Sequence, residues 1–105
     1  MLSENCWYRG IPLYSAAKKG YKEVVKLLIA SGADVEIAEK KHGSTPLWNA
    51  SWLGHTQTVK ILLDAGADMN VKVKIGEMNF TPLSVANKKS HTEVIKLLRE
   101  YGALE

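Results

Sequence analysis

One spacing, repeated three times, constrains what this chain can fold into. Pro12, Pro46 and Pro82 are each followed, eight residues later, by Gly20, Gly54 and Ser90. Twelve residues beyond each of these stands a glycine: Gly32, Gly66 and Gly102. Proline suits the first position of a helix, where its missing N–H costs nothing. Thr45, just before Pro46, can cap a helix start through its hydroxyl. Glycine enters the left-handed conformation in which helices often end. Each unit therefore reads as a short helix, a break, and a second helix. The apolar positions of the second helices include Val24, Val25, Leu27 and Leu28, then Val59, Ile61, Leu62 and Leu63. Fixed internal spacing of this kind is the signature of a repeat architecture. The interval between units is thirty-four residues and then thirty-six, so the extra length lies between one helix pair and the next.

The short motifs carry a family resemblance. The first helices open as Ile11-Pro12-Leu13-Tyr14-Ser15-Ala16, Thr45-Pro46-Leu47-Trp48-Asn49-Ala50 and Thr81-Pro82-Leu83-Ser84-Val85-Ala86. The second helices end at Gly32-Ala33-Asp34, Gly66-Ala67-Asp68 and Gly102-Ala103. Three such units resemble the ankyrin repeat family, whose unit of ~33 residues pairs a β-turn with two helices around a T-P-L-H-x-A core. The resemblance covers roughly residues 10–104. It implies an all-α solenoid of three helix-turn-helix units joined by β-turn or ribbon loops. The expected organisation is a single domain over 1–105: an N-terminal segment 1–9, unit one 10–38, unit two 39–73, and unit three 74–105.

The departures from the motif are as informative as the matches. The family histidine, which hydrogen-bonds within and between neighbouring units, is replaced by Tyr14, Trp48 and Ser84. Its loss puts that network in doubt. Ile11 stands where threonine would cap, and Arg9 stands where the turn glycine would be, so the first turn is expected to be irregular or absent. Ser90 replaces a helix-stop glycine and marks a strained position. The alternative is that Ser90 caps the next helix, since Ser90-His91-Thr92-Glu93 fits a capping box. Asn87 and Arg99 put polar groups where the other units are small or apolar, as a terminal repeat requires. Unit three is therefore expected to be the C-terminal cap. Val71-Lys72-Val73-Lys74-Ile75 alternates with the period of a half-buried strand, in a ribbon about three residues longer than the family norm.

At 105 residues, the chain has the length of one domain. No run of eighteen apolar residues suggests a membrane span. Residues 1–10 lack a basic start followed by an apolar stretch. Cys6, a lone cysteine, fits a reducing compartment. An intracellular location, cytoplasmic or nuclear, is therefore expected.

A search for catalytic chemistry returns little. Neither a phosphate-binding glycine loop nor C-x-x-C nor H-E-x-x-H occurs. His55 and His91 occupy the same repeat position and read as polar residues opening the second helices rather than zinc ligands, which normally converge in fours. Asp34 and Asp68 also match each other and read as turn residues. The chain is expected to be no enzyme and to need no cofactor or metal.

The resemblance implies a binding module. Ankyrin stacks hold partners on a concave face made by the ribbon tips and the first helices. The variable positions just before the helix stops are here Lys18-Lys19, Trp52-Leu53 and Lys88-Lys89. Those at the ribbon are Lys41, His42 and Ser44, then Met78 and Phe80, with Glu77 beside them. Trp52 is the central expectation, because tryptophan is enriched at interface hot spots. Trp48 is expected to be structural. The lysine pairs suit an acidic or amphipathic protein segment. A net charge of +3 also leaves open an RNA- or nucleotide-binding module using the Lys pairs and Trp52. The chain is expected to be a monomer, with self-association through the unit-one end as the alternative.

Overall fold

The computed structural model describes residues 6–38 and 43–102, the side chains of residues 6–12 excepted. Six helices and one hairpin follow in order: α1 (Cys6–Lys19), α2 (Lys22–Ala30), α3 (Pro46–Leu53), α4 (Thr56–Asp64), β1 (Val73–Ile75), β2 (Met78–Phe80), α5 (Pro82–Lys88) and α6 (Thr92–Glu100). The first helices stack as one layer, α1 on α3 on α5, and the second helices as another, α2 on α4 on α6. The fold is the expected helix-turn-helix solenoid.

The buried residues fall on the repeat register. Leu13, Leu47 and Leu83 are fully buried, and Ala16, Ala50 and Ala86 are buried beside them. Each such leucine contributes about 1.5–3 kcal/mol through the apolar surface it removes from water. The alanines let neighbouring helices approach closely. Val25, Val59, Leu62, Val94 and Leu98 close the core from the second layer.

Two helix starts carry the expected cap. Thr45 Oγ1 accepts from the Trp48 N–H at 3.3 Å. Thr81 Oγ1 accepts from the Ser84 N–H at 3.1 Å, and Ser84 Oγ accepts from the Thr81 N–H at 2.7 Å, a reciprocal capping box.

Unit one departs from the expectation. Pro12 does not begin its helix. α1 starts at Cys6 and passes through Ile11 and Pro12, so neither a turn nor a threonine-type cap is needed there. A proline inside a helix removes one i→i−4 hydrogen bond. Its motif residues Leu13, Ala16 and Ala17 nonetheless reach the core. Val24 and Leu27, expected as core, are 43% and 68% exposed. At the matching positions of units two and three, Thr58 and Val94 are buried and Ile61 and Leu97 are half-buried. The difference is one of neighbours: α4 and α6 each stack on a preceding second helix, and α2 has none on that side among the described residues.

The Ser90 capping box does not form. The N-cap of α6 is His91, without a side-chain cap. Ser90 instead takes φ of 60°, the left-handed conformation filled by Gly20 and Gly54 at φ of 76° and 78°. A residue with a Cβ is strained in this conformation, as the sequence predicts for this position.

β1 and β2 pair antiparallel, with Val73 opposite Phe80 and Ile75 opposite Met78. Gly76, at φ of 65°, opens their two-residue turn, a place where positive φ matches the twist of a hairpin. Among the described residues no helix is long and apolar enough to cross a membrane.

Candidate partner-binding face

The candidate site is built on α3, whose two tryptophans lie four residues apart and therefore on one side of the helix. Trp48 is 2% exposed and Trp52 is 37% exposed. Their rings meet edge to face, with centroids 5.1 Å apart at 73°, a geometry favoured by the aromatic quadrupole. Trp48 packs with Val73 and Val85 and donates its Nε1–H to the carbonyl oxygen of Phe80 at 2.9 Å. That bond ties β2 to α3. It also fixes the hairpin beside Trp52.

The missing family histidine is thus replaced in function. Trp48 bonds forward to unit three. Tyr14 bonds forward to unit two, its hydroxyl 3.1 Å from Ser44 Oγ. The inter-unit hydrogen bonding that the sequence put in doubt is supplied by other side chains.

Two concavities open on either side of Trp52. The first, about 410 Å³, lies between α1, α3 and β1 and includes Tyr14, Lys18, Leu53 and Ile75. The second, about 300 Å³, lies between α3, the hairpin and α5 and includes Ile75, Met78, Phe80 and Val85. Lys88 and Lys89 stand over its aromatic walls. Lys88 Nζ is 5.9 Å from the centre of the Phe80 ring, and Lys89 Nζ is 5.7 Å from that of Trp52. Both distances lie within cation–π range. Among the described residues lining the two hollows there is no carboxylate.

The residues singled out from the sequence divide accordingly. Lys18, Ser44, Trp52 and Leu53 come together in the first hollow, and Trp52, Met78, Phe80, Lys88 and Lys89 in the second. Lys19 is exposed and lines neither. Lys41 and His42 lie outside the described residues. Ser44 is a correction: it is 4% exposed, and its hydroxyl is engaged by Tyr14, so it serves as a tie between units rather than an open contact. Ile75, 40% exposed and shared by both hollows, was not singled out. The Val-Lys-Val-Lys-Ile alternation could have found it, since it ends on an apolar residue at a turn.

The histidines bond back to the first helices of the preceding units. His55 and His91 are N-caps of α4 and α6 without capping bonds. Each instead donates Nε2–H backward, to the carbonyl oxygens of Lys18 at 2.9 Å and Trp52 at 2.8 Å. Asp34 and Asp68 accept from the N–H groups of Glu36 and Asn70, both at 2.9 Å, as turn residues. Glu36 reaches across to the N–H of Asp68 at 2.6 Å and joins the first two ribbons.

Stacked helix pairs with left-handed helix stops, capped prolines and inter-unit side-chain ties define a helical repeat solenoid. More particularly, a family model described as ankyrin repeats (3 copies) matches residues 3–73, well over half of the chain, and the protein belongs to the ankyrin repeat family. The α5–α6 pair lies beyond the matched residues, yet keeps the same core register and helix stop. Comparison with curated proteins found no match. Ankyrin repeats are generally protein–protein interaction modules and typically non-catalytic.

Proposed function

We propose that this chain is a protein-interaction module, acting as a scaffold or adaptor without catalysis, whose partner seats on the concave face around Trp52. The observation that carries this reading is a half-exposed tryptophan standing between two apolar hollows with lysines at their edges. A large aromatic held by packing loses little freedom when it binds, which is why such residues dominate interface energetics. An acidic or amphipathic protein segment suits the lysines at positions 18, 88 and 89. RNA or nucleotide binding is less well supported. A base would need the face of the Trp52 ring for stacking, and Lys89 already lies over it.

The test is retention of partners from cell lysate by the parent chain and by a Trp52→Ala/Leu53→Ser variant, each with and without nuclease. A protein held by the parent, lost by the variant and indifferent to nuclease is the expected result. Retention abolished by nuclease would transfer the reading to nucleic acid. Equal behaviour of parent and variant would remove the concave face as the site.

A further inference from the structure

We infer that the segment bound on this face is acidic and inserts two apolar side chains, one on each side of Trp52; this rests on the reading of the concave face as the binding surface. The two hollows share Trp52 and Ile75, so they adjoin across the indole. Each is at or near the lower end of the volumes that hold whole small ligands, a size suited to single side chains. Tyr14 and Leu53 offer apolar contact in the first, and Met78 and Val85 in the second.

The charge of the occupant follows from the rim. Lys18 edges the first hollow, and Lys88 and Lys89 edge the second. None of the three has an ion-pair partner among the described residues. A basic segment would meet uncompensated like charge, which disfavours wrong partners, and an acidic one would be drawn in. The second hollow is the more demanding. Its two ammonium groups lie over the Phe80 and Trp52 rings, within cation–π range. Acid beside the second anchor residue would face positive charge over both rings. The groove therefore selects an apolar residue flanked by acid on the α5 side, and a second apolar residue beyond the indole, where Lys18 supplies a single charge.

The experiment selects random short peptides displayed on phage against the full chain, then measures the recovered peptides by fluorescence anisotropy at low and high salt. Recovered peptides are expected to be acidic, to carry two apolar residues at a constant spacing, and to bind more weakly in high salt. Serine in place of either apolar residue, or Lys88→Glu with Lys89→Glu in the protein, should weaken binding by about tenfold or more. Trp52→Ala should abolish it while circular dichroism shows an unchanged helical fold. Neutral or basic peptides, or peptides needing one anchor, that still require Trp52 would overturn the two-anchor acidic occupant and leave the concave-face reading standing. Peptides that bind Trp52→Ala as tightly as the parent would overturn both. Recovery of no peptide overturns the inference. So does a concentration-dependent dimer of the parent in sedimentation that Trp52→Ala abolishes, since a second copy would then fill the groove.

Discussion

The imidazole of His91 lies against Gly54 while its Nε2–H donates to the carbonyl oxygen of Trp52 at 2.8 Å. The same arrangement recurs one unit earlier, with His55 against Gly20 and bonded to Lys18. Each histidine thereby satisfies a carbonyl left open at the end of the preceding first helix. The glycine is needed twice over, for its positive φ and for the space. A Cβ on Gly54 would stand 2.8 Å from the ring of His91.

Gly54→Ala should therefore destabilise the fold by about 1–3 kcal/mol, from left-handed strain together with displacement of the ring. His91→Ala should cost about 1–2 kcal/mol through the lost bond and packing. Urea unfolding of both variants and of the double variant checks this. The double variant should be less destabilised than the two single effects added, because each removes the same contact. Full additivity would show that the ring and the glycine act separately.

Ser90 occupies the same left-handed position with φ of 60°, but carries a Cβ. Ser90→Gly should stabilise the chain by up to about 1 kcal/mol, the cost of a left-handed non-glycine residue being partly offset by the greater freedom of glycine in the unfolded chain. A thermal melt reads the effect as a rise in Tm. A fall would mean that the serine side chain contributes more than its strain removes.

Ser51 is fully buried on α3, and its hydroxyl has no hydrogen-bond partner among the described residues. The matching residue of unit one is Ala17, also fully buried. Ser51→Ala should raise stability by about 1 kcal/mol, the penalty of an unpaired buried hydroxyl. Chemical denaturation should show a higher midpoint with an unchanged slope.

Tyr101 ties the end of α6 to α4 by donating its hydroxyl to Asp64, which also pairs with Lys60 at 3.4 Å. The Tyr101 hydrogen bond is the main cause that holds the Asp64 carboxyl below its ordinary value. Its own bond to Asp64 in turn raises the Tyr101 hydroxyl, and the separate Lys60–Asp64 bond raises the Lys60 ammonium. Asp64 thus adds stability above its unfolded value of about 4 that is lost as pH falls through its lower folded value. The tyrosine and lysine add stability below their unfolded values, about 10 and above, that is lost as pH rises through their raised folded values. Tyr101→Phe should flatten both limbs of a stability-versus-pH profile relative to the parent. Parallel profiles for the two proteins would refute the coupling.

Much of this architecture was legible before any fold was seen. Pro46, Thr81, Gly54 and the buried leucines act through local backbone preferences and helical periodicity, which need no knowledge of distant residues. The start of α1 was not legible. Pro12 matches the first-position prolines of the other units, and nothing local tells a proline that opens a helix from one tolerated inside it. The roles of His55 and His91 were hidden for the opposite reason. Their partners lie thirty-seven and thirty-nine residues back in the chain, so only stacking reveals them. Ile75 ends a legible strand pattern, but its place in both hollows depends on where the hairpin leans.

By itself, the sequence determined the helix pairs, their stops and their repeat register, because capping, left-handed glycines and apolar periodicity act within a few residues of chain. The motif already separates Trp48 from Trp52, two indoles a single helical turn apart, but only the tertiary structure decided what buries the one and flanks the other. The Phe80 carbonyl, with Val73 and Val85, closes over Trp48 from the next unit and leaves Trp52 between two hollows. Burial is set by atoms that stacking brings across the boundary between units, and that boundary exists only once the units are packed.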